Sequence, residues 1–134
     1  MKEVKYIPLD LVKADKNPNI IWKVKDVSQD KRGNVLYRVV AAEDNDAFIY
    51  LYEHQIAPVP LTTEILEKNG WVKDYCIGNE DRYAKYDFLY ISYYRNNNTT
   101  KLFVKGLTLL SNIKYVHQLQ HLLFGLGLPM DLKV

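Results

Sequence analysis

Two hydrophobic periods divide this chain. In its first half the period is two. From Trp22 onward Trp22 and Val24 point one way and Lys23 and Lys25 the other, which predicts a half-buried strand over residues 20–27. Asp30-Lys31-Arg32-Gly33-Asn34 has turn composition, with Gly33 free to take positive φ. Residues 35–41 then read as the returning strand, Glu43-Asp44-Asn45-Asp46 as the next turn, and residues 47–52 as a third strand. Residues 53–58 close this part of the chain.

Pro58-Val59-Pro60 is stiff, because proline fixes its own φ and restricts the residue before it; a domain junction is expected there. A short helix should follow. Thr62 is its N-cap, Glu64 lies where the dipole favours an anion, Gly70 sits at the left-handed C′ position, and Trp71 can fold back on Leu66. Residues 72–77, a turn at Gly78-Asn79, and one long strand over residues 83–94 come next. In that strand Tyr86, Phe88, Tyr90 and Tyr94 would share one face, and Asp87, Leu89, Ile91 and Tyr93 the other, so it should be a central strand or one covered on both faces. Residues 95–100 form a polar hairpin tip and residues 101–105 return. The closing segment has helical period: Tyr115, Val116, Leu119, Leu122, Leu123 and Leu126 fall in one arc, with Lys114, His117, Gln118 and His121 opposite. Gly125, Gly127 and Pro129 end it.

The expected fold class is α+β, in two parts. Residues 1–58 should form a small β-barrel-like unit; over residues 4–60 the chain resembles an SH3-like β-barrel in pattern, from a lead at Ile7-Pro8-Leu9 through three strands to an apolar residue before Pro58. Residues 61–134 should form an α-β-β-β-α unit, a helix and antiparallel sheet with a second helix packed across it. Fold of this kind does not give function.

Composition changes the picture in three places. Eleven Tyr stand against four Phe, and Tyr suits half-exposed sheets and contact surfaces because it buries a ring and keeps a polar tip. The net charge is +2, with nine Lys/Arg and nine Asp/Glu in residues 1–60 and nine and seven in residues 61–134, which argues against a dedicated nucleic-acid binder. Cys76 is the one cysteine, so no internal disulfide forms and a reducing cytoplasm is expected. The first residues lack an apolar signal segment, and no stretch approaches the length of a membrane span.

Three stretches carry a resemblance: residues 58–71 (Pro58-Val59-Pro60-Leu61-Thr62-Thr63-Glu64-Ile65-Leu66 through Gly70-Trp71), the Tyr/Phe-rich hairpin, and Ile113-Lys114-Tyr115-Val116-His117-Gln118-Leu119-Gln120-His121-Leu122-Leu123-Phe124. Over residues 58–126 the chain resembles an uncharacterised family of small proteins from Bacteroides-type bacteria, their prophages and conjugative elements. The resemblance implies a bacterial or phage cytoplasmic protein, often encoded on mobile DNA, and lends no residue a catalytic role.

His117 and His121 stand four apart, the spacing metal ligands use, but Gln118 occupies the place of a zinc-protease glutamate and no third ligand is identifiable. No metal, cofactor or catalytic residue is assigned, and no enzyme is expected. Lys114, His117, Gln118 and His121 on the helix and Tyr86, Tyr90 and Tyr94 on the sheet form the candidate interaction surface, for a protein partner or self-association. Lys23, Lys25, Lys31, Arg32 and Arg38 around the first hairpin are the candidate nucleic-acid contacts, the less favoured partner because Asp26 and Asp30 lie among them. The function these readings support is that of an accessory or adaptor protein from a phage or mobile element.

Overall fold

The computed structural model describes residues 5–105, 107–110 and 112–134, with side chains for all of these but Asn45 and residues 107–110. The described residues are α+β and mostly strand: two five-stranded antiparallel sheets and two helices. In the first sheet, strands β1 (Leu11–Ala14), β2 (Asn17–Gln29), β3 (Val35–Ala41) and β4 (Asp44–Tyr52) follow one another as a meander. A 3-10 turn at Glu53–Gln55 leads to β5 (Ile56–Pro58), which returns to pair with β1, so the order is β4-β3-β2-β1-β5. Trp22, Val24, Val35, Tyr37, Val39, Leu51 and Ile56 fill its core with Val12 and Tyr6. The alternation at Trp22 and Val24 is therefore core-directed, as the sequence pattern predicts.

Local chemistry sets the turns. The Asp30 carboxylate accepts from the backbone N–H of Arg32 and of Asn34, both at 2.9 Å, and Gly33 takes a φ of 84°. These bonds hold the Asp30 carboxyl below the usual carboxylate range, the Asn34 bond first. The next turn is tighter than the acidic run suggests. It occupies Ala42-Glu43, and Asp44 is already paired with Ala41 in β4.

Helix α1 (Thr63–Lys68) carries the caps expected of it. The Thr62 hydroxyl accepts from Ile65 N at 3.2 Å, Gly70 adopts a φ of 88°, and Trp71 N donates to Leu66 O at 3.0 Å. Trp71 is thereby delivered, buried, into the second core.

The second sheet has five strands where about three were expected: β6 (Val72–Ile77), β7 (Glu80–Tyr86), β8 (Leu89–Tyr94), β9 (Thr99–Val104) and β10 (Leu107–Leu110), in the order β10-β9-β8-β7-β6. The stretch read as one strand over residues 83–94 is a hairpin that turns at Asp87-Phe88, with Tyr86 paired to Leu89. A bulge between Ala84 and Tyr86 rotates Tyr86 to the core side, where its ring meets Trp71 edge-on at 6.0 Å. Helix α2 (Val116–Gly125) then lays Val116, Leu119 and Leu123 against Leu89, Ile91, Leu102 and Tyr83.

A buried carboxamide joins the two sheets. Gln120 on α2 accepts from Leu11 N at 2.9 Å and donates to Leu9 O at 2.9 Å and Met130 O at 3.0 Å. One residue away, the Asp10 carboxylate accepts from Ile7 N at 2.9 Å and pairs with His121 Nε2 at 2.7 Å. The chain entering β1 is thus bonded to a helix more than a hundred residues later, and Leu11 itself belongs to the second core.

Two stability outcomes follow from these contacts. Gly70→Val should lower stability by about 1 kcal/mol or more, read as a fall in urea midpoint, because a β-branched residue is disfavoured at positive φ; a wild-type midpoint would disprove the cap. Gln120→Leu, close in size, should cost roughly 2–4 kcal/mol, because it strands the buried Leu11 N–H and Met130 carbonyl and the part-buried Leu9 carbonyl, and an unchanged midpoint would show that these bonds do not hold the sheets together.

Candidate interaction surface

The two faces of the second sheet differ in kind. The inner face carries Tyr83, Leu89, Ile91 and Leu102, which α1, α2 and the C-terminal tail cover through Leu66, Leu119, Leu123, Met130 and Leu132. The strand register defines the outer face as three cross-strand rows. Val72, Ala84, Tyr90 and Phe103 make one; Tyr75, Arg82, Ser92 and Lys101 the second; Ile77, Glu80, Tyr94 and Thr99 the third.

These rows are laced by rings and cations. The Arg82 guanidinium carbon lies 4.5 Å from the ring centroid of Tyr75 and 4.5 Å from that of Tyr90. Tyr90 stacks in turn on Phe103, at 5.0 Å and 13°. Lys101 Nζ stands 5.3 Å from the Tyr94 ring. Beneath them Ser92, fully buried, donates to Glu80 Oε2 at 2.7 Å. Each cation–π contact at such a half-exposed site contributes about 0.5–1 kcal/mol. The larger effect is geometric, since the stack holds flat rings in fixed positions and little side-chain entropy remains to be lost on contact.

This surface takes in two of the residues chosen from the sequence, Tyr90 and Tyr94, and omits the third, because the bulge sends Tyr86 to the opposite face. Arg82, Tyr75, Lys101 and Phe103 were missed. Their alignment depends on the register between four strands, and the sequence offered only the alternation within each.

The helix residues do not form the expected exposed face. Lys114 is exposed, but the Gln118 side chain is turned back onto its own helix end, where Oε1 accepts from Lys114 N at 2.8 Å and Tyr115 N at 3.1 Å. His121, half-exposed, holds Asp10. His117 corrects the helical-wheel reading outright: it is 6% exposed, because α2 is covered by the sheet on one side and by the lead into β1 on another. Its ring stands between Tyr6, edge-on at 5.1 Å, and Tyr115, stacked at 5.9 Å, with His121 5.6 Å away. Burial, then His121 and Lys5, drive its pKa down to about 4. Burial raises Asp10, against the lowering effects of the Ile7 N–H and His121. Among the described residues no group of three or more His, Cys, Asp and Glu is arranged to hold a metal ion.

The basic residues of the first hairpin are not gathered into a groove. Lys23 faces Asp131 at 3.8 Å, and Arg38 is paired with Asp26 at 2.8 Å while lying 5.2 Å from the Phe48 ring. Lys31 and Arg32 lie in the turn after β2, beyond Gln29, which is itself about 20 Å along the strand from Lys23. Lys25 is exposed beside the bulge that separates Val24 from Asp26. A hollow of about 830 Å³ runs between Ile20 and Ile21 on the first sheet, Ala42 in the turn after β3, and Leu132–Val134 at the tail.

Comparison with protein-family models, with curated proteins and with solved structures finds no match for this chain. No helix of the described residues is long and apolar enough to cross a membrane.

The His117 environment makes stability depend on acid. The folded pKa lies below the unfolded one, so the neutral ring's contribution is complete above about pH 6.5 and is lost as pH falls toward about 4. The loss should reach at most about 3 kcal/mol. Asp10, raised by burial, works in the opposite direction, so the measurement is a difference. The gap in unfolding free energy between wild type and His117→Phe should narrow, or move in the variant's favour, from pH 7 to pH 4.5; parallel curves would show that His117 is not held neutral by burial.

Proposed function

We propose that this protein is a non-enzymatic accessory or adaptor protein of phage or mobile-element origin that works by binding another macromolecule, through the outer face of its C-terminal sheet. The observation that carries the reading is the chain of contacts Tyr75–Arg82–Tyr90–Phe103, which links two of the rows, with Tyr94 and Lys101 beside it: fixed rings and two cations on a face that neither helix covers. Tyr and Arg are the side chains that concentrate binding energy at protein contacts. A protein partner is favoured over nucleic acid because Arg82 and Lys101 share the face with Glu80, and the basic residues of the first hairpin are dispersed or paired.

The likeness of residues 58–126 to the Bacteroides-type family supports the phage or mobile-element origin and a cytoplasmic setting. We read residues 1–58 and 61–134 as two units and the first as an SH3-like barrel. Support for the barrel comes from the four-strand meander, the 3-10 turn after β4, and the return of β5 to the edge of β1.

The test uses the immobilised full chain and a host or phage lysate. Wild type should retain one stoichiometric partner, and Tyr90→Ala/Lys101→Glu, checked for an unchanged fold, should retain at least roughly tenfold less. Equal retention by the variant, or nothing retained by wild type, defeats the proposal. Retention that falls steeply with salt and is replaced by single-stranded nucleic acid would move the reading to the second partner class.

A further inference from the structure

β6 is an edge of the second sheet: β7 pairs with one side of it, and no described strand pairs with the other. All six of its residues are exposed, with Val72 at 64%, Ile77 at 61% and Tyr75 at 37%. Edge strands present unpaired N–H and C=O groups, and an apolar one is a template for another strand. The occupant can be read from the strand's own chemistry.

A bulge lies between Lys73 and Tyr75, where Asp74 is the extra residue. Its effect is to place Val72 and Tyr75, three apart, on the same outer face, since they pair with Ala84 and Arg82, two apart on β7. We propose that β6 pairs antiparallel with β6 of a second copy, about a two-fold axis between Lys73 and Asp74, joining the two sheets into one. That register sets Val72 against the second copy's Tyr75 on the outer face. It also sets Lys73 against the second copy's Asp74, twice by symmetry. Moving the axis half a step in either direction would oppose Lys73 to itself or Asp74 to itself, and like charges directly opposite are destabilising. The strand is thus its own complement in charge and in face at one register, which is the property an isologous interface requires. The aromatic row ending at Tyr75 would continue into the partner. The pairing does not depend on what the outer face binds.

The test is sedimentation velocity on the full chain across the micromolar range. Wild type should run as two chains. Lys73→Glu and Asp74→Lys, both at exposed positions and each with an unchanged circular dichroism spectrum, should each weaken association by roughly tenfold or more. The Lys73→Glu/Asp74→Lys double variant should recover it, and the two single variants mixed together should associate with each other. A wild type that stays monomeric throughout would overturn the proposal and show that the bulge and Lys73 guard the edge instead. Dimers that persist in both single variants, or a swap that fails to restore them, would overturn this register.

Discussion

The buried carboxamide of Gln120 is the constraint on which the arrangement of the sheets depends. Its oxygen takes the N–H of Leu11, and its nitrogen serves the carbonyls of Leu9 and Met130. The Leu11 and Met130 groups are buried and the Leu9 carbonyl part-buried, and a buried backbone group without a partner costs more than a made bond returns. Leu9 has a φ of 79°, a left-handed conformation that a branched side chain adopts only when its surroundings enforce it. Gln120 supplies part of that enforcement, and the bond from Leu9 N to Val24 O supplies another part. The strained entry to β1 and the middle of α2 therefore stabilise each other.

From this follows the asymmetry of the second sheet. With α2 committed to the inner face and tied to the lead into β1, both helices and the tail lie on one side. Among the described residues, the other side has only its own side chains for cover. It buries Ser92 completely under tyrosines and Arg82, which explains why a sheet face without a helix is still half-buried. A face built in this way is partly apolar, and its rings are held in fixed positions by their own contacts.

The sequence was readable where a single element carries its own signal. The Trp22/Val24 alternation, the Asp30–Gly33 turn, and the Thr62 and Gly70 caps all depend on neighbours within a few residues. Reading failed where the deciding partner is distant. Asp87-Phe88 turns a hairpin without glycine, proline or asparagine, so tyrosines on two strands looked like one strand with two covered faces. β1, β5 and β10 are at most four residues long, too short for a period to emerge. His117 and Gln120 look polar on a helical wheel, yet both are buried, because α2 has a second covered side that only the fold creates. The candidate surface was half legible: the tyrosines stood out by number, but Arg82 and Lys101 joined them only through register.

Local pairing of charge decides what kind of recognition this fold can support. Arg38 is matched by Asp26, Lys23 by Asp131, and Arg95 by Asp81 and the Gly78 carbonyl, while Lys85 donates to Asn69 O at 2.8 Å. Cations occupied in this way steer a partner weakly, because each field is closed by a nearby acceptor. Arg82 differs in that its guanidinium is held by two ring faces, which position it without neutralising it. Under the proposed binding role, specificity would rest on the shape of a fixed ring array and one or two placed cations, which suits a partner surface of defined relief better than a uniformly charged polymer.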